Sequence, residues 1–224
     1  MYNTIRKQEI QVMKRAIIFY NGDLSDLRHA KQYIKPTDYI ICADGGAKHA
    51  EKLGLKPDVI IGDFDSLPKT NQSKLARQGV QFITFKREKD ETDSELTIKY
   101  AIKKRYKAIL IFGLFGSRLD HMLTNIFALD YISNINADVT IIEGKQEIRT
   151  IHDRIKLYGK KGDLLSLIPL KGNAKKVTTL NLKYPLKNED LLFGYSRGIS
   201  NVFSKDTAEV SLQEGSLLVI HEKS

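Results

Sequence analysis

The feature that most constrains the fold is an alternation of two kinds of segment through the first 143 residues. Short runs of β-branched and other apolar residues alternate with stretches whose apolar residues recur at helical spacing. The apolar runs are 16–20, 39–43, 58–62, 80–85, 108–113 and 138–143. The helical stretches between them are 25–34, 47–54, 71–79, 93–104 and 119–132. The alternation predicts βαβ units, and therefore a parallel sheet with helices on both faces.

The pattern changes after Gly144, where short alternating runs such as "QEIRTIH", "LLSLIPL" and "AEVSLQEGSLLVIHE" replace the helical stretches. Turn-like segments such as "GKKGD" and "KGN" separate these runs. Such a pattern is typical of a small antiparallel β-domain, and it favours a sandwich. The predicted fold class is α/β. A Rossmann-like parallel-sheet domain is expected over residues 1–143, and a smaller C-terminal β-sandwich domain over residues 144–224.

Several residues predict where the helices begin and end. Ser25 and Asp93 precede or open helical stretches and are expected to act as N-caps. Gly54 and Gly79 stand directly after helical stretches, where glycine commonly ends a helix.

Charge and cysteine content narrow the classes of protein. The net charge is +9, but Lys and Arg exceed Asp and Glu evenly, by 22 to 17 in residues 1–140 and by 14 to 10 in residues 141–224. This even surplus argues against a dedicated nucleic-acid surface and suits an enzyme that handles small polyanions. The single Cys42 excludes an intramolecular disulfide and fits a reducing cytoplasm.

Neither a membrane span nor a secretory signal is expected. The apolar runs, such as 108–112, are far shorter than the ~20 residues that a spanning helix needs. The N-terminal stretch 1–15 is polar and lacks the apolar core of a signal peptide.

Acidic residues follow four of the predicted strands, at the point where each strand ends. Ligands of open parallel sheets bind beyond the carboxyl ends of the strands, so these residues are expected to lie at one edge. In chain order the residues at this edge are Asp44 with Gly45 and Gly46, then Asp63 and Asp65, then Asp90 and Asp93, and finally Gly113, Gly116, Arg118 and Asp120. Their co-location is a stronger signal than any one of these motifs.

The chemistry of this set points to phosphate. Six carboxylates at one edge would repel each other unless cations balance them. Mg²⁺ prefers such oxygen ligands and commonly binds substrate phosphates as well. Glycines allow backbone N–H groups to approach phosphate oxygens, and the Arg118 guanidinium offers a fork of donors to a polyphosphate. The residues therefore predict phosphoryl or pyrophosphoryl transfer.

Each residue also has a purely structural interpretation. Asp44 before two glycines fits a turn, and Asp65 fits an N-cap of a helix that starts near Pro68. Asp93 fits a cap as well. Asp120 and His121 fit an exposed polar pair in the first turn of a helix.

Four motifs, in order and spacing, resemble those of the thiamine pyrophosphokinase family. They are "ADGGA" (43–47), "PDVIIGDFDSL" (57–67), "KDETDSELTIKYA" (89–101) and "GLFGSRLDHMLTNI" (113–126). In the second half, "LIPL" (167–170), "LKYPL" (182–186) and "GISN" (198–201) also resemble family motifs. The resemblance therefore covers nearly the whole chain.

The resemblance implies Mg²⁺-dependent transfer of pyrophosphate from ATP to the hydroxyl of thiamine, with release of AMP. It implies a homodimer whose active sites lie between the subunits. The acidic site would comprise Asp44, Asp63, Asp65, Asp90, Asp93 and Asp120, with Asp63, Asp65, Asp90 and Asp93 as metal ligands. Arg118 would contact the ATP phosphates, and Asp93 or Asp120 would orient the thiamine hydroxyl or accept its proton. Ser200 and Asn201 of the partner subunit would face thiamine.

The sequence also departs from the family pattern. Asn181 stands where glycine is expected before "LKYPL", and Lys89 stands where some members have glutamine, so no thiamine contact is transferred there. Because the chain has no tryptophan, an aromatic platform for thiamine would have to be Tyr184, Tyr195 or Phe203.

Two alternatives belong to other classes. "DFD" (63–65) is also the pattern of the nucleophile and acid in haloacid-dehalogenase-like phosphatases, but there the pair follows the first strand of the core, whereas here it follows the third. The second alternative is a non-catalytic protein that binds a nucleotide or RNA. The even charge and the lack of an aromatic-basic stripe argue against it.

Overall fold

The computed structural model describes residues 14–65, 67–84, 92–116, 118–133 and 137–224, and the predicted ligand Asp90 lies outside them. The parallel strands are β1 (Arg15–Phe19), β2 (Tyr39–Ala43), β3 (Val59–Gly62), β4 (Gln81–Thr84), β5 (Ala108–Phe112) and β6 (Asp138–Glu143). The α-helices among them are α1 (Leu27–Gln32), α2 (Ala47–Lys52), α3 (Lys69–Arg77), α4 (Asp93–Lys103) and α5 (Leu119–Ser133).

The second half of the chain forms strands. They are β7 (Gln146–Ile151), β8 (Arg154–Tyr158), β9 (Leu164–Pro169), β10 (Ala174–Leu180), β11 (Glu189–Leu191), β12 (Asn201–Val202), β13 (Thr207–Ser211) and β14 (Leu217–Glu222). The six predicted βα strands and the change to a β-rich C-terminal part are thus confirmed.

The first six strands are parallel to one another, in the order β4-β3-β2-β1-β5-β6. The chain first adds β2, β3 and β4 on one side of β1, and α4 then carries it back so that β5 pairs on the other side. The direction of strand addition therefore reverses between β1 and β5. In open α/β sheets this reversal marks the crevice where ligands bind.

Helices cover both faces of the parallel sheet, as its nearly continuous apolar strands predict. On one face Ala30 of α1, Ala50 of α2 and Leu75 of α3 pack over strand residues that include Ile17 and Ile60. On the other face α4 and α5 pack over residues such as Ile18, Ile61 and Ile111. In the inner strands, side chains on both faces of the sheet are buried, which explains why these strands lack polar alternation.

The sheet does not end at the predicted domain boundary. Glu143 pairs with Gln146, so Gly144 and Lys145 form a tight turn that joins β6 to the antiparallel β7. Strands β14, β9 and β12 extend the same sheet to ten strands. A second sheet of four strands, β11-β10-β13-β8, packs against this extension, and the two faces share residues such as Leu165, Val177 and Val219 in one core. One of the two layers of the sandwich is thus part of the large sheet.

The helix boundaries correct two expectations and confirm two. The side chain of Asp26, and not that of Ser25, caps α1 by accepting from the N–H of His29. Thr92, and not Asp93, caps α4 through a capping box with Glu95. Gly54 and Gly79 follow the ends of α2 and α3 with positive φ, as expected.

None of the helices among the described residues is long and apolar enough to cross a membrane.

A buried hydrogen bond between two side chains attaches the C-terminal strand to the sandwich. The Nε2–H of His221 donates to Oδ2 of Asp163 at 2.8 Å, and both side chains are buried. The backbone N–H groups of Lys160 and Ser224 also donate to this carboxylate, and Phe203 stacks on His221 with ring centroids 4.7 Å apart. Burial alone would raise the pKa of Asp163, but these donors together lower it to about 2.

Replacement of Asp163 should make the stability less dependent on pH. Because the pKa is about 2 in the folded chain and ~3.9 when unfolded, the stabilisation is present above pH ~3.9 and is lost as the pH falls through 2. Asp163→Asn is expected to lower the free energy of unfolding by about 2 kcal/mol at pH 7 and by much less near pH 2. Urea denaturation at both pH values measures this.

Glu209→Gln is the matched control, because the carboxylate of Glu209 is exposed and pairs with the exposed Lys156. It should change the free energy of unfolding by less than ~0.5 kcal/mol. If Asp163→Asn lost the same free energy of unfolding at pH 7 and at pH 2, the ionised carboxylate of Asp163 would not be the source of the stabilisation.

Candidate active site

The loops that follow β1 and β5 are joined to each other at the point where strand order reverses. The N–H of Gly22 donates to the carbonyl of Gly113 at 2.8 Å, and the N–H of Asp23 donates to that of Phe115 at 2.7 Å. Beyond this contact the chain enters α1 on one face of the sheet and α5 on the other. The two loops therefore form the floor of a crevice between the faces.

Glycines make the close approach of these loops possible. A Cβ on Gly22 would lie 2.1 Å from the carbonyl oxygen of Phe115, and one on Gly46 would lie 2.1 Å from that of Phe19. A Cβ on Gly45 would meet the side chain of Asn21 at 2.6 Å.

The two glycines after β5 differ from each other. Gly113 has φ +63 and packs against Tyr20, whereas Gly116 has only an ordinary contact, at 3.5 Å. Among the predicted glycines, Gly46 and Gly113 thus approach a neighbouring backbone closely, whereas Gly116 does not.

Asp44, Asp63 and Asp65 follow the neighbouring strands β2 and β3. A Cβ on Gly62 would lie 2.9 Å from the Cβ of Asp44, so the residue before Asp63 is packed directly against Asp44. Asp63 is half-buried and accepts from the N–H of Asp65 at 3.2 Å, while Asp65 is exposed. Helix α3 begins only at Lys69, and among the described residues no side chain caps it. The interpretation of Asp65 as its cap is therefore wrong.

Asp93 lies farther along the sheet than its place after β4 suggests. The Tyr20 hydroxyl, at the end of β1, donates to the carbonyl of Ser94 at 2.7 Å. Helix α4 also packs against β1, β2 and β3. Burial first, and then the nearby Asp93 carboxylate, raise the pKa of Tyr20 well above its ordinary value. The first turn of α4 thus carries Asp93 across the sheet to the carboxyl end of β1.

Arg118 and Asp120 form an exposed bidentate ion pair where α5 begins. Nη2 of Arg118 lies 2.5 Å from Oδ2 of Asp120, and Nε lies 3.2 Å from Oδ1. The hydrogen bond from Arg118 is the main reason that the pKa of Asp120 falls to about 2. Asp120 is therefore ionised at neutral pH, and it orients the guanidinium beside the crevice.

Two contributions to the site were missed at the sequence level. The loop after β1, with Asn21, Gly22 and Asp23, belongs to the edge, and the signal for it was a glycine and an acid directly after a strand. His49 of α2, assigned no role from sequence, is buried and its Nε2–H donates to the carbonyl of Gly22 at 2.9 Å. Burial is the main reason that the pKa of His49 is lowered, and the hydrogen bond to Gly22 opposes that shift.

The donor chemistry at the edge fits a hard cation. The carboxylates of Asp63, Asp65 and Asp93 are exposed or half-exposed, and they offer oxygen atoms without nitrogen or sulfur ligands. In the part of the chain that the structure describes, no three Asp, Glu, His or Cys side chains form a ready metal cage. Mg²⁺ often retains waters and takes ligands from substrate phosphates, so few protein carboxylates suffice.

Of the residues in the second half that were predicted to contact thiamine, some support the local backbone and others are exposed. The amide of Asn201 accepts from the N–H of Tyr184 and donates to its carbonyl, so it shapes the 182–186 turn. Ser200 has φ 57, and its N–H donates to Oγ of Ser166 at 3.0 Å. Of the aromatic candidates, Phe203 is buried against His221, whereas Tyr184 and Tyr195 are exposed.

The architecture defines an α/β protein whose parallel strands end in acid-bearing loops, with a β-sandwich that shares the same sheet. Two family descriptions match the chain, "Thiamin pyrophosphokinase, catalytic domain" over residues 30–141 and "Thiamin pyrophosphokinase, vitamin B1 binding domain" over residues 149–217. The chain belongs to the thiamine pyrophosphokinase family.

Individual relatives agree with this membership. The thiamine pyrophosphokinase of Bacillus subtilis is 29% identical over 184 residues, which cover 80% of this chain and 85% of the relative. The crystal structure of a Bacillus subtilis thiamine pyrophosphokinase superposes with a TM-score of 0.83 at 25% identity, covering 94% of this chain and all of the other. A Candida albicans thiamin pyrophosphokinase structure, 17% identical, shares the fold with a TM-score of 0.78, covering 94% of this chain and 90% of the other.

The contact between the two loops can be tested with a pair of glycine variants. Gly22→Ala places a methyl group against a backbone carbonyl and should lower the free energy of unfolding by about 1–3 kcal/mol. Gly116→Ala meets its nearest atom at 3.5 Å and should change it by less than ~0.5 kcal/mol. Chemical denaturation of both variants measures the difference. Equal effects at the two positions would mean that the loops are not closely packed.

Proposed function

We propose that the protein transfers the pyrophosphate group of ATP to the hydroxyl of thiamine, giving thiamine diphosphate and AMP. The observation that carries this proposal is the combination of both family domains with acid-bearing loops around the switch point. The thiamine oxygen attacks the β-phosphorus, and the bond from that phosphorus to the oxygen shared with the α-phosphate breaks. AMP departs with this oxygen, and the hydroxyl proton passes to a base.

Mg²⁺ is the proposed cofactor, and Asp63, Asp65, Asp90 and Asp93 are its proposed ligands. When bound, it would neutralise charge on the polyphosphate and on the departing AMP. The packing of Asp44 against Gly62 supports a role for Asp44 in keeping this loop in place beside the nucleotide. Gly45, Gly46, Gly113 and Gly116 are proposed to let the backbone approach the ATP phosphates.

The sequence left open whether Asp93 or Asp120 orients the thiamine hydroxyl and accepts its proton. The Arg118–Asp120 ion pair favours Asp93 for this role. A carboxyl with a pKa of about 2 accepts protons poorly at neutral pH, so Asp120 is assigned to holding Arg118 against the phosphates. Asp93 is then the proposed group that orients the thiamine hydroxyl and receives its proton. Its place near Tyr20, at the end of β1, supports that role.

Thiamine is proposed to bind the sandwich of a second copy, near Ser200 and Asn201. Tyr184, whose backbone Asn201 holds, is exposed and offers a π face to the positively charged thiazolium ring. Homodimer formation is supported by apolar side chains that remain exposed in one copy. They are Leu119, Leu123 and Phe127 along one side of α5, and Phe193, Tyr195 and Ile199 on the sandwich.

We further propose a cytoplasmic location, which the single, buried Cys42 supports. The phosphatase alternative is disfavoured because "DFD" follows the third strand and acids on neighbouring loops exceed what that chemistry needs. Binding of RNA without turnover is disfavoured by the match to both family domains.

Substitution of the edge carboxylates should abolish turnover with little effect on folding. Asp63→Asn, Asp65→Asn and Asp120→Asn are each expected to lower thiamine-dependent AMP release by about 10²-fold or more, because each removes charge from the nucleotide site. Asp153→Asn, an exposed aspartate away from this edge, is the control and should retain wild-type turnover. Near-normal AMP release by both Asp65→Asn and Asp120→Asn would show the assignment to be wrong.

Mixing two inactive variants tests whether the site is shared between subunits. Asp63→Asn disables the acidic half-site, and Ser200→Trp blocks the proposed thiamine half-site. In a re-equilibrated equal mixture half of the dimers are mixed, and each has one intact site, so about a quarter of wild-type activity should return. Light scattering checks that the protein is dimeric. If the mixture stays inactive although mixed dimers form, each site is built from a single subunit.

A further inference from the structure

A cavity of about 550 Å³ lies beside β8, away from the acid-bearing loops. Its other walls come from the start of β6, from β7 and from the end of β14. Residues 137–139 line it at the amino end of β6, whereas the acid-bearing loops follow the carboxyl ends of the parallel strands. None of the described residues that line the cavity belongs to those loops. The cavity is therefore separate from the proposed active site.

The cavity runs along an edge of β8 that has no neighbouring strand. Among the described residues β8 pairs with β13 alone. The N–H of Gly159 donates to the carbonyl of Asp206, which sets the alternation of this antiparallel pair. The backbone N–H and carbonyl groups of Arg154, Lys156 and Tyr158 consequently point away from β13. All five residues of β8 line the cavity, and because side chains alternate between the faces of a strand, the cavity follows its free edge.

Cationic side chains outnumber carboxylates around this cavity. The four cations are Arg149, Arg154, Lys156 and Lys223, and the two carboxylates are Asp138 and Glu147. Both carboxylates already have cationic partners. The guanidinium of Arg149 lies 2.9 Å from Glu147 and 3.9 Å from Asp138, and Lys223 also donates to Glu147. A ligand in the cavity would therefore meet a surplus of positive charge.

Two of these cations are accessible to a ligand. Arg154 is exposed, and in the part of the chain that the structure describes its guanidinium makes no ion pair or hydrogen bond. The ammonium of Lys156 lies 3.5 Å from the carboxylate of Glu209, and both groups are exposed, so water weakens their attraction. These two residues of β8 can therefore turn toward a bound anion at little cost.

The other two cations are held in place by a buried carboxylate. Nζ of Lys223 donates to Glu147 and to the hydroxyl of Tyr33 at 3.2 Å, and that hydroxyl donates to Glu147 at 3.1 Å. Burial opposes the ionisation of Glu147, but the hydrogen bond from Lys223 and the charge of Arg149 hold its pKa below the ordinary value. Glu147 therefore stays ionised at neutral pH and fixes both cations at the cavity.

We propose that this cavity binds a small polyanion that carries a phosphate or pyrophosphate group. The guanidinium of Arg154 offers a fork of donors to the phosphate oxygens, and Lys156 adds a mobile positive charge. The outward backbone N–H groups of β8 supply further donors. A volume between ~300 and ~1,000 Å³ is typical of small-molecule sites, so the cavity also has room for an organic group beside the exposed ring of Tyr158.

A single tryptophan can report on the cavity because the chain has none. Tyr158→Trp places an indole at an exposed position in the lining. Sodium pyrophosphate, added with EDTA and at an ionic strength held constant with sodium chloride, should change its emission in a saturable manner. Leu180→Trp is the control reporter, since Leu180 is exposed on the same sandwich but does not line the cavity. Its emission should not respond.

Arg154→Gln, added to Tyr158→Trp, should weaken pyrophosphate binding about tenfold, because a hydrogen bond between charged groups is lost. Arg77→Gln removes an exposed arginine of α3 and should leave the Kd unchanged. Calorimetry on the chain without tryptophan should give the same Kd and the same loss in Arg154→Gln. Equal weakening in the two arginine variants, or no saturable binding by either method, would overturn the proposal.

Further ligands distinguish the sources of the phosphate group. Tighter binding of ribose 5-phosphate than of inorganic phosphate would support a phosphate ester as the occupant, and equal affinity would support the free anion. If citrate bound as tightly as pyrophosphate, charge alone would be recognised and the proposed phosphate specificity would be overturned. Because the cavity and the acid-bearing loops share no described residue, thiamine-dependent AMP release decides the proposed reaction separately.

Discussion

The pairing of β1 with β5 is the contact on which the rest of the site depends. Because strand addition reverses there, the two following loops must lie side by side while their helices leave to opposite faces. The hydrogen bonds from Gly22 and Asp23 to the β5 loop hold that arrangement, and the clash that a Cβ on Gly22 would cause explains the need for glycine. His49 and Tyr20 then fasten α2 and α4 to the same junction.

Electrostatics explain why this junction is suited to a charged ligand. Among the described residues of this edge, carboxylates outnumber cations, and the guanidinium of Arg118 is already paired with Asp120. A polyphosphate accompanied by divalent cations would relieve the repulsion among the remaining carboxylates.

The two halves of the chain are joined through one continuous sheet. A hairpin at Gly144 and Lys145 joins β6 to β7, and β7 contributes both to the core under α5 and to the core of the sandwich. The sequence pattern detected the change from α/β to all-β at this point. It could not reveal the shared sheet, because a hairpin turn and an interdomain linker have similar composition.

The sequence by itself determined the six parallel strands, the helices on both faces and the candidate acids, because burial on two faces and strand-end position leave local patterns. It placed the caps of α1 and α4 one residue away from Asp26 and Thr92, since neighbouring polar residues compete for that role. Only the tertiary structure decided that Asp93 lies at the end of β1, that Asp120 is engaged by Arg118, that Phe203 is core and that His49 supports Gly22. These outcomes depend on which strands pair and how helices cross them, and such long-range contacts have no local signature.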